Sequence, residues 1–226
     1  MYDVIFISYN EAEADTNWNT LKRKVPWAIR VHGVKGIHQA HIQAAKQAFT
    51  PMIWIVDADA HIVDDFDFGY APNRIDRDAV HVWRSCNPIN DLEYGYGGIK
   101  LFPRMQTINM DTTRPDMTTS ISNKFILMPE VSNITAFNVD AFSTWRSAFR
   151  ECCKLSSKVI DRQKNEETED RLRIWTTVGK ERPYGEYAIK GAREGAVYGK
   201  ANQGNTEALK KINDFEWLKE QFDADV

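Results

Sequence analysis

Two aspartates, Asp57 and Asp59, stand one residue apart where an apolar run ends, in "MIWIVDADAHI" at residues 52–62. Carboxylates at i and i+2 reach a single cation if the backbone turns between them. Oxygen donors suit hard ions such as Mg²⁺ or Mn²⁺, which take few protein ligands and leave positions for substrate phosphates. Such an ion neutralises the charge of a departing diphosphate. A turn capped by Asp57, with Asp59 merely solvated, has the same spelling, so position must decide. Here the pair closes a run of strand character, and the carboxyl ends of strands are where open α/β sheets hold their ligands.

The elements that must position this pair can be read around it. "DVIFISY" (3–9) and "AIRVHG" (28–33) predict strands, with a polar helical stretch from about Asp15 to Lys24 between them. "IHQAHIQAAKQAF" (37–49) predicts an amphipathic helix stopped at Thr50-Pro51, and "MIWIV" a third strand. Strand, helix, strand, helix, strand with apolar strands predicts a parallel sheet in an open α/β fold. Three strand ends then carry polar residues: Ser8-Tyr9-Asn10-Glu11, His32-Gly33 and Asp57-Ala58-Asp59. Further strands are expected at 79–83, 99–103, 125–130 and 133–138, with loops between and no period in 109–124. From Asp140 on the chain reads as helical, with one helix over 140–163 capped by Asp140 and others near 166–177, 184–198 and 206–222.

Composition narrows the classes. A chain of 226 residues forms one large domain or one and a half, and a net charge of −3 argues against binding nucleic acid by bulk charge. Three cysteines, two of them adjacent at Cys152 and Cys153, make no disulfide framework, and reduced thiols in a cytoplasmic setting are expected. The apolar run "VIFI" is too short for a signal peptide and no run reaches membrane-spanning length, so no membrane association is expected.

The segment "VKGIHQAHIQAAKQAFTPMIWIVDADAHI" (34–62) resembles the core of GT-A glycosyltransferases, particularly those similar to family 2. The likeness extends over about residues 3–62, and "YGYGGIKLFPR" is similar to their glycine-containing acceptor loop and following strand. The resemblance implies a Rossmann-like, open, mostly parallel sheet with flanking helices over 1–138 and a helical C-terminal extension over 139–226. It implies that Tyr9, Asn10 and Glu11, beside Ser8, His32 and Gly33, line a nucleotide pocket. Lys35 and Gly36 would approach the phosphates, and Asp57 and Asp59 would bind Mn²⁺ or Mg²⁺. The donor would be a nucleotide-sugar, a UDP-sugar foremost, giving up a hexose or pentose to a hydroxyl. The chain is also similar to small GT-A-like proteins of tailed bacteriophages, some of which decorate hydroxymethylated bases. That likeness suggests modified DNA as acceptor and the host cytoplasm as location, with a glycan or protein as the alternative acceptor. Many GT-A enzymes complete the metal site with a late histidine. All five histidines here precede residue 82, so a late carboxylate, a water or the nucleotide must serve.

The remaining chemistry is more open. An inverting transferase needs a carboxylate base at the acceptor hydroxyl; Asp116 and Glu130 are the candidates, with Asp91 and Glu93 behind them. Trp83, Asn87, Gly97 and Gly98 suit contact with a sugar or acceptor, aromatic faces and amides binding it and glycines admitting close approach. A loop packed on its own aromatics would read the same way. His38 and His41, with His32 and His61, could hold zinc, although satisfied or solvated histidines are the commoner outcome. Arg146, Arg150, Lys154, Lys158 and Arg162 recur every fourth residue, about 6 Å apart along a helix. With Phe142, Trp145, Phe149, Cys152 and Val159 on the opposite face, the cations are expected outward, as a nucleic-acid track or a solvated face. A nucleotidyltransferase lacks support, since "ISYNEAEADTNW" has no glycine-rich phosphate loop. A non-catalytic binding protein on the same fold is the reading from another class.

Overall fold

A computed structural model describes residues 1–160 and 164–224. The chain divides into two compact units, neither continuous in sequence. The first comprises 1–86, 93–112 and 117–136; the second comprises 87–92, 113–116 and 137–226. A single cut near residue 138 therefore misses two short segments that belong with the helical part.

In the first unit the chain runs β1 (Asp3–Ser8), α1 (Ala14–Lys24), β2 (Ile29–His32), α2 (Ile37–Gln47), β3 (Met52–Asp57) and β4 (Ala60–Ile62). It continues through β5 (Val80–Cys86), β6 (Glu93–Tyr94), β7 (Ile99–Pro103), α3 (Arg104–Ile108), α4 (Met117–Ile121) and β8 (Phe125–Thr135). The strands form one sheet in the order β2-β1-β3-β7-β5-β8-β4, with β6 on β5. β1 is parallel to both β2 and β3, and β5 is parallel to β8. β7 runs antiparallel between β3 and β5, while β4 and β6 pair antiparallel with β8 and β5. The fold is thus mixed α/β, not mostly parallel. The parallel part is the N-terminal βαβαβ, whose pattern is local. The antiparallel part depends on the Gly97-Gly98 turn returning the chain beside β3.

Burial of both sheet faces explains the continuous apolar strands. On one face Val4, Phe6, Trp54, Val56, Trp83 and Leu101 pack with Leu21 of α1 and with Phe66 and Phe68. On the other, Ile5, Ile53, Ile55, Val80, Val82 and Phe102 pack with Ala44 and Ala45 of α2. Alternate residues of β1 and β3 go to opposite faces, the period-two geometry of a strand. The two short strands expected at 125–130 and 133–138 are one strand, β8, and 109–124 contains the short helix α4.

The second unit is helical: α5 (Ala141–Ser157), α6 (Asn165–Thr177), α7 (Gly185–Ala201), α8 (Thr206–Lys210) and α9 (Phe215–Ala224). The Asp140 carboxylate accepts from the Ser143 N–H at 2.7 Å, capping α5 as expected. The helix ends earlier than expected, with Lys158 at φ 56° in the left-handed region. Its core gathers Trp145, Phe149, Cys153, Leu209, Ile212 and Leu218. Among the described residues no helix is long and apolar enough to cross a membrane.

Candidate functional site

The carboxyl ends of β2, β1 and β3 lie side by side, with Ser8 in register with His32 and Ile7 with Asp57. Ser8 is buried; Tyr9, Asn10 and Glu11 emerge beyond it, exposed, with the Tyr9 N–H donating to Glu11 Oε2 at 2.7 Å. His32 and Gly33 are exposed at the end of β2, and Lys35 and Gly36 lead into α2. The residues expected to line a nucleotide pocket therefore share one sheet edge with Asp57 and Asp59.

The turn bearing the two aspartates is fixed at three backbone points. The Asp57 N–H donates to the Gly98 carbonyl at 2.9 Å, and the Asp59 carbonyl accepts from the Ala136 N–H at 2.7 Å. Between them the Ala58 carbonyl accepts from Asn17 Nδ2 at 2.8 Å, an amide buried in α1. Behind Gly97 and Gly98 sits a buried polar group. Ser85 Oγ lies 3.0 Å from the Gly97 carbonyl and 2.9 Å from Asn133 Oδ1, and Asn133 Nδ2 donates to Thr135 Oγ1 at 3.2 Å. Gly98 has φ +75°, and a Cβ there would stand 2.0 Å from Asn133 Oδ1. Glycine is required at this position by both conformation and space.

Charge at this edge is crowded. The Asp59 carboxyl is pushed up to about 7, first by burial and then by the negative charges of Asp57 and Glu11, with Lys100 opposing. Lys100 of β7 places Nζ 3.9 Å from Asp57 Oδ2. His41 is buried in α2 and its pKa is lowered by burial, against the pull of Asp57. Two carboxylates with partial compensation from one lysine suit a divalent cation that completes its coordination with water and substrate oxygens. Among the described residues no three His, Cys, Asp or Glu side chains are grouped to hold a metal by themselves. The histidines of α2 have the geometry of satisfied side chains. His41 Nδ1 is bonded to the Ile37 carbonyl at 2.8 Å, and His38 Nε2 lies 3.3 Å from Ser120 Oγ.

Several expected contacts are corrected. Trp83 is 2 % exposed, packed against Trp54, Phe66 and Tyr70, and so offers no face to a sugar; its Nε1 donates to Glu130 Oε2 at 3.1 Å. Asn87 is fully buried in the second unit, where its Oδ1 accepts from the Ile89 N–H at 2.8 Å and shapes the loop. Asp116, also of the second unit, is buried and paired with Lys154 at 3.0 Å, which leaves no accessible base. Asp91 pairs with Arg182 at 2.9 Å. Glu130 and Glu93 are exposed in the first unit.

Three members of the basic row, Arg146, Arg150 and Lys154, do not stand outward as expected. Arg146 lies over the rings of Phe142 and Phe215, and Arg150 donates to the Ile212 carbonyl and to Asn213 Oδ1. Lys154 is taken up by Asp116, and Lys158 leaves the helix in the left-handed turn. The segment 212–215 covers the face expected to be open, which local spacing does not reveal. Arg162 lies outside the described residues.

Sequence reasoning missed Lys100 and Asn17. A lone cation inside the apolar strand "IKLFP", and an asparagine inside a helical stretch, were the available signals. No family model matches the chain and no curated protein sequence matches it significantly, so the purpose of this sheet edge has to be argued from its own chemistry.

Proposed function

We propose that the first unit binds a nucleotide-sugar along the carboxyl ends of β1, β2 and β3 and passes the sugar to a hydroxyl, as a GT-A-type glycosyltransferase. The carrying observation is the Asp57-Ala58-Asp59 turn. It is pinned at three backbone points and presents two carboxylates in a setting where burial first, and then the charges of Asp57 and Glu11, raise the Asp59 pKa. A side chain serving only as a turn cap would have no reason to sit under that repulsion. A divalent cation relieves it, and when bound would supply charge neutralisation for a diphosphate leaving group. Lys100 steadies Asp57 from the neighbouring strand. Tyr9, Asn10, His32 and Gly33 lie where a nucleoside attached to that diphosphate would extend. Of the carboxylates expected as base, Glu130, which accepts from Trp83, and Glu93 remain exposed in the first unit. Arg146, Arg150 and Lys154 are engaged within the second unit, so the basic row lends a DNA acceptor no support, and a modified base of DNA or a glycan or protein supplies the hydroxyl in this reading.

Calorimetry and thermal shift with UDP, GDP, CMP and their sugars, with and without Mn²⁺, test the reading. Wild type should bind at least one nucleotide in a Mn²⁺-dependent manner, and Asp57→Ala/Asp59→Ala should lose that binding by tenfold or more, about 1.4 kcal/mol. If no nucleotide binds, or if the double variant binds as well as wild type, the edge is not a donor site and a non-catalytic protein of this fold becomes the better description.

A further inference from the structure

Beside the aspartate turn, the ends of β1 and β2 hold a hydrogen-bond chain that the proposed transfer does not itself require. Asp15 Oδ1 accepts from Arg30 Nη1 at 2.6 Å, and Arg30 also lies over the ring of Phe6. Arg30 Nε donates to Ser8 Oγ at 2.9 Å, and Ser8 Oγ lies 3.0 Å from His32 Nδ1. A guanidinium can only donate, so Ser8 Oγ is an acceptor in its bond with Arg30. Ser8 is 2 % exposed, and its hydroxyl proton has no other hydrogen-bond acceptor among the described residues than His32 Nδ1. A buried hydroxyl does not leave its proton unused when an acceptor is in reach. Nδ1 of the neutral imidazole then accepts, and its single proton must reside on Nε2. His32 itself is exposed at the strand end.

Resting on the nucleotide-sugar reading, we propose that His32 is a base-specificity residue, held by Ser8 and Arg30 as an Nε2–H donor that selects a nucleobase presenting a carbonyl. β2 lies two strands from β3, about 10 Å at the usual spacing. That matches the reach of a nucleoside between its diphosphate, at Asp57 and Asp59, and its base. A fixed donor aimed at O4 of uracil or O6 of guanine favours uracil over cytosine and guanine over adenine, because at that position the counterpart carries an amino group that also donates. The mismatch leaves two donors facing each other, and sites built to hydrogen-bond one group reject its inverse more strongly than packing alone can.

Two measurements test this. Imidazole ¹⁵N spectra of the free protein at pH 8.5, with the His32 signals identified by their loss in His32→Phe, should show Nε2 protonated and Nδ1 bare. Ser8→Ala should convert His32 to a mixture of tautomers. A protonated Nδ1, or a mixture already in wild type, overturns the proposal. Calorimetry with Mn²⁺ then compares UDP with CDP and GDP with ADP. The keto member of at least one pair should bind about tenfold tighter. His32→Phe should erase that preference, and His32→Gln, which retains an N–H donor, should restore part of it. Binding without keto preference, or a preference that survives His32→Phe, overturns this inference alone and leaves the donor site standing. Failure of every nucleotide to bind, with the expected tautomer present, overturns the nucleotide reading and this inference with it.

Discussion

His81 in β5 has no exposed surface, and neither of its ring nitrogens has a hydrogen-bond partner among the described residues. Its ring lies 5.5 Å from that of Tyr70, and burial pushes its pKa down to about 4, with Asp76 pulling the other way. Asp59 is displaced in the opposite sense, up to about 7. The consequences for stability are opposed. Between pH 6.5 and 4 the unfolded chain protonates His81 and the folded one does not, so stability falls with falling pH. At about 1.4 kcal/mol per unit the full window amounts to roughly 3 kcal/mol. Between pH 4 and 7 the folded state keeps the Asp59 proton that the unfolded chain has lost, so this contribution falls as pH rises. Urea melts across pH 4.5–8 on His81→Leu and Asp59→Asn separate the two. His81→Leu should gain most over wild type at pH 4.5. Asp59→Asn should be more stable than wild type at pH 8 without divalent cations, and that advantage should shrink when Mn²⁺ is added. An Asp59→Asn protein no more stable than wild type at pH 8 would mean that the carboxylates are not crowded. The aspartate pair itself was legible in sequence because two like residues at a strand end are a local pattern. Lys100, Asn17 and His81 were not, because their roles come from burial against residues distant in the chain.

Helix α7 meets α5 along a line of glycines. A Cβ at Gly191 would stand 2.2 Å from the Trp145 carbonyl oxygen, at Gly195 2.1 Å from that of Phe149, and at Gly199 2.4 Å from that of Cys153. The obstructing atoms at the first two positions are backbone, which cannot rotate away. The helices can touch this closely only where side chains are absent, and the contact in turn sets Trp145 and Phe149 into the core of the second unit. Gly195→Ala improves helix propensity by about 1 kcal/mol yet forces the helices apart. We expect net destabilisation of about 1–3 kcal/mol, the usual cost of overpacking, read as a lower melting temperature. Val197→Ala, on the exposed side of the same helix, should change stability by less than about 0.5 kcal/mol. Equal effects at the two sites would refute the close-packed interface. The spacing of the glycines, like that of Arg146, Arg150 and Lys154, is plain in the sequence. What packs on each stripe is not, since α7 approaches α5 from 46 positions away and the segment 212–215 from 62 to 69.

At the scale of the molecule the legible part is the N-terminal βαβαβ, where each strand and helix carries its own period and the crossovers leave little choice of neighbour. The remaining strands are legible as strands, but their places in the sheet are not. β4 follows β3 after two residues, yet pairs with β8 at the far end of the strand order, while β7 comes from 40 residues later to lie against β3. The Asp57-Ala58-Asp59 turn is therefore the link between the middle of the sheet and its edge, bonded to Gly98 ahead of β7 and to Ala136 after β8. A cation held by both carboxylates would tie these segments together, and any opening that separates them would have to release it. Hydrogen exchange reports such openings directly. With Mn²⁺ and a bound nucleotide at about 100 times their dissociation constants, amides that exchange through ligand-releasing openings should slow by up to about a hundredfold. The Asp57 and Ala136 N–H groups should be among them, and Asp57→Ala/Asp59→Ala should abolish the slowing at Ala136. Protection confined to Tyr9, Asn10 and His32, with Asp57 and Ala136 unchanged, would show that ligand binds the edge without engaging the aspartate turn.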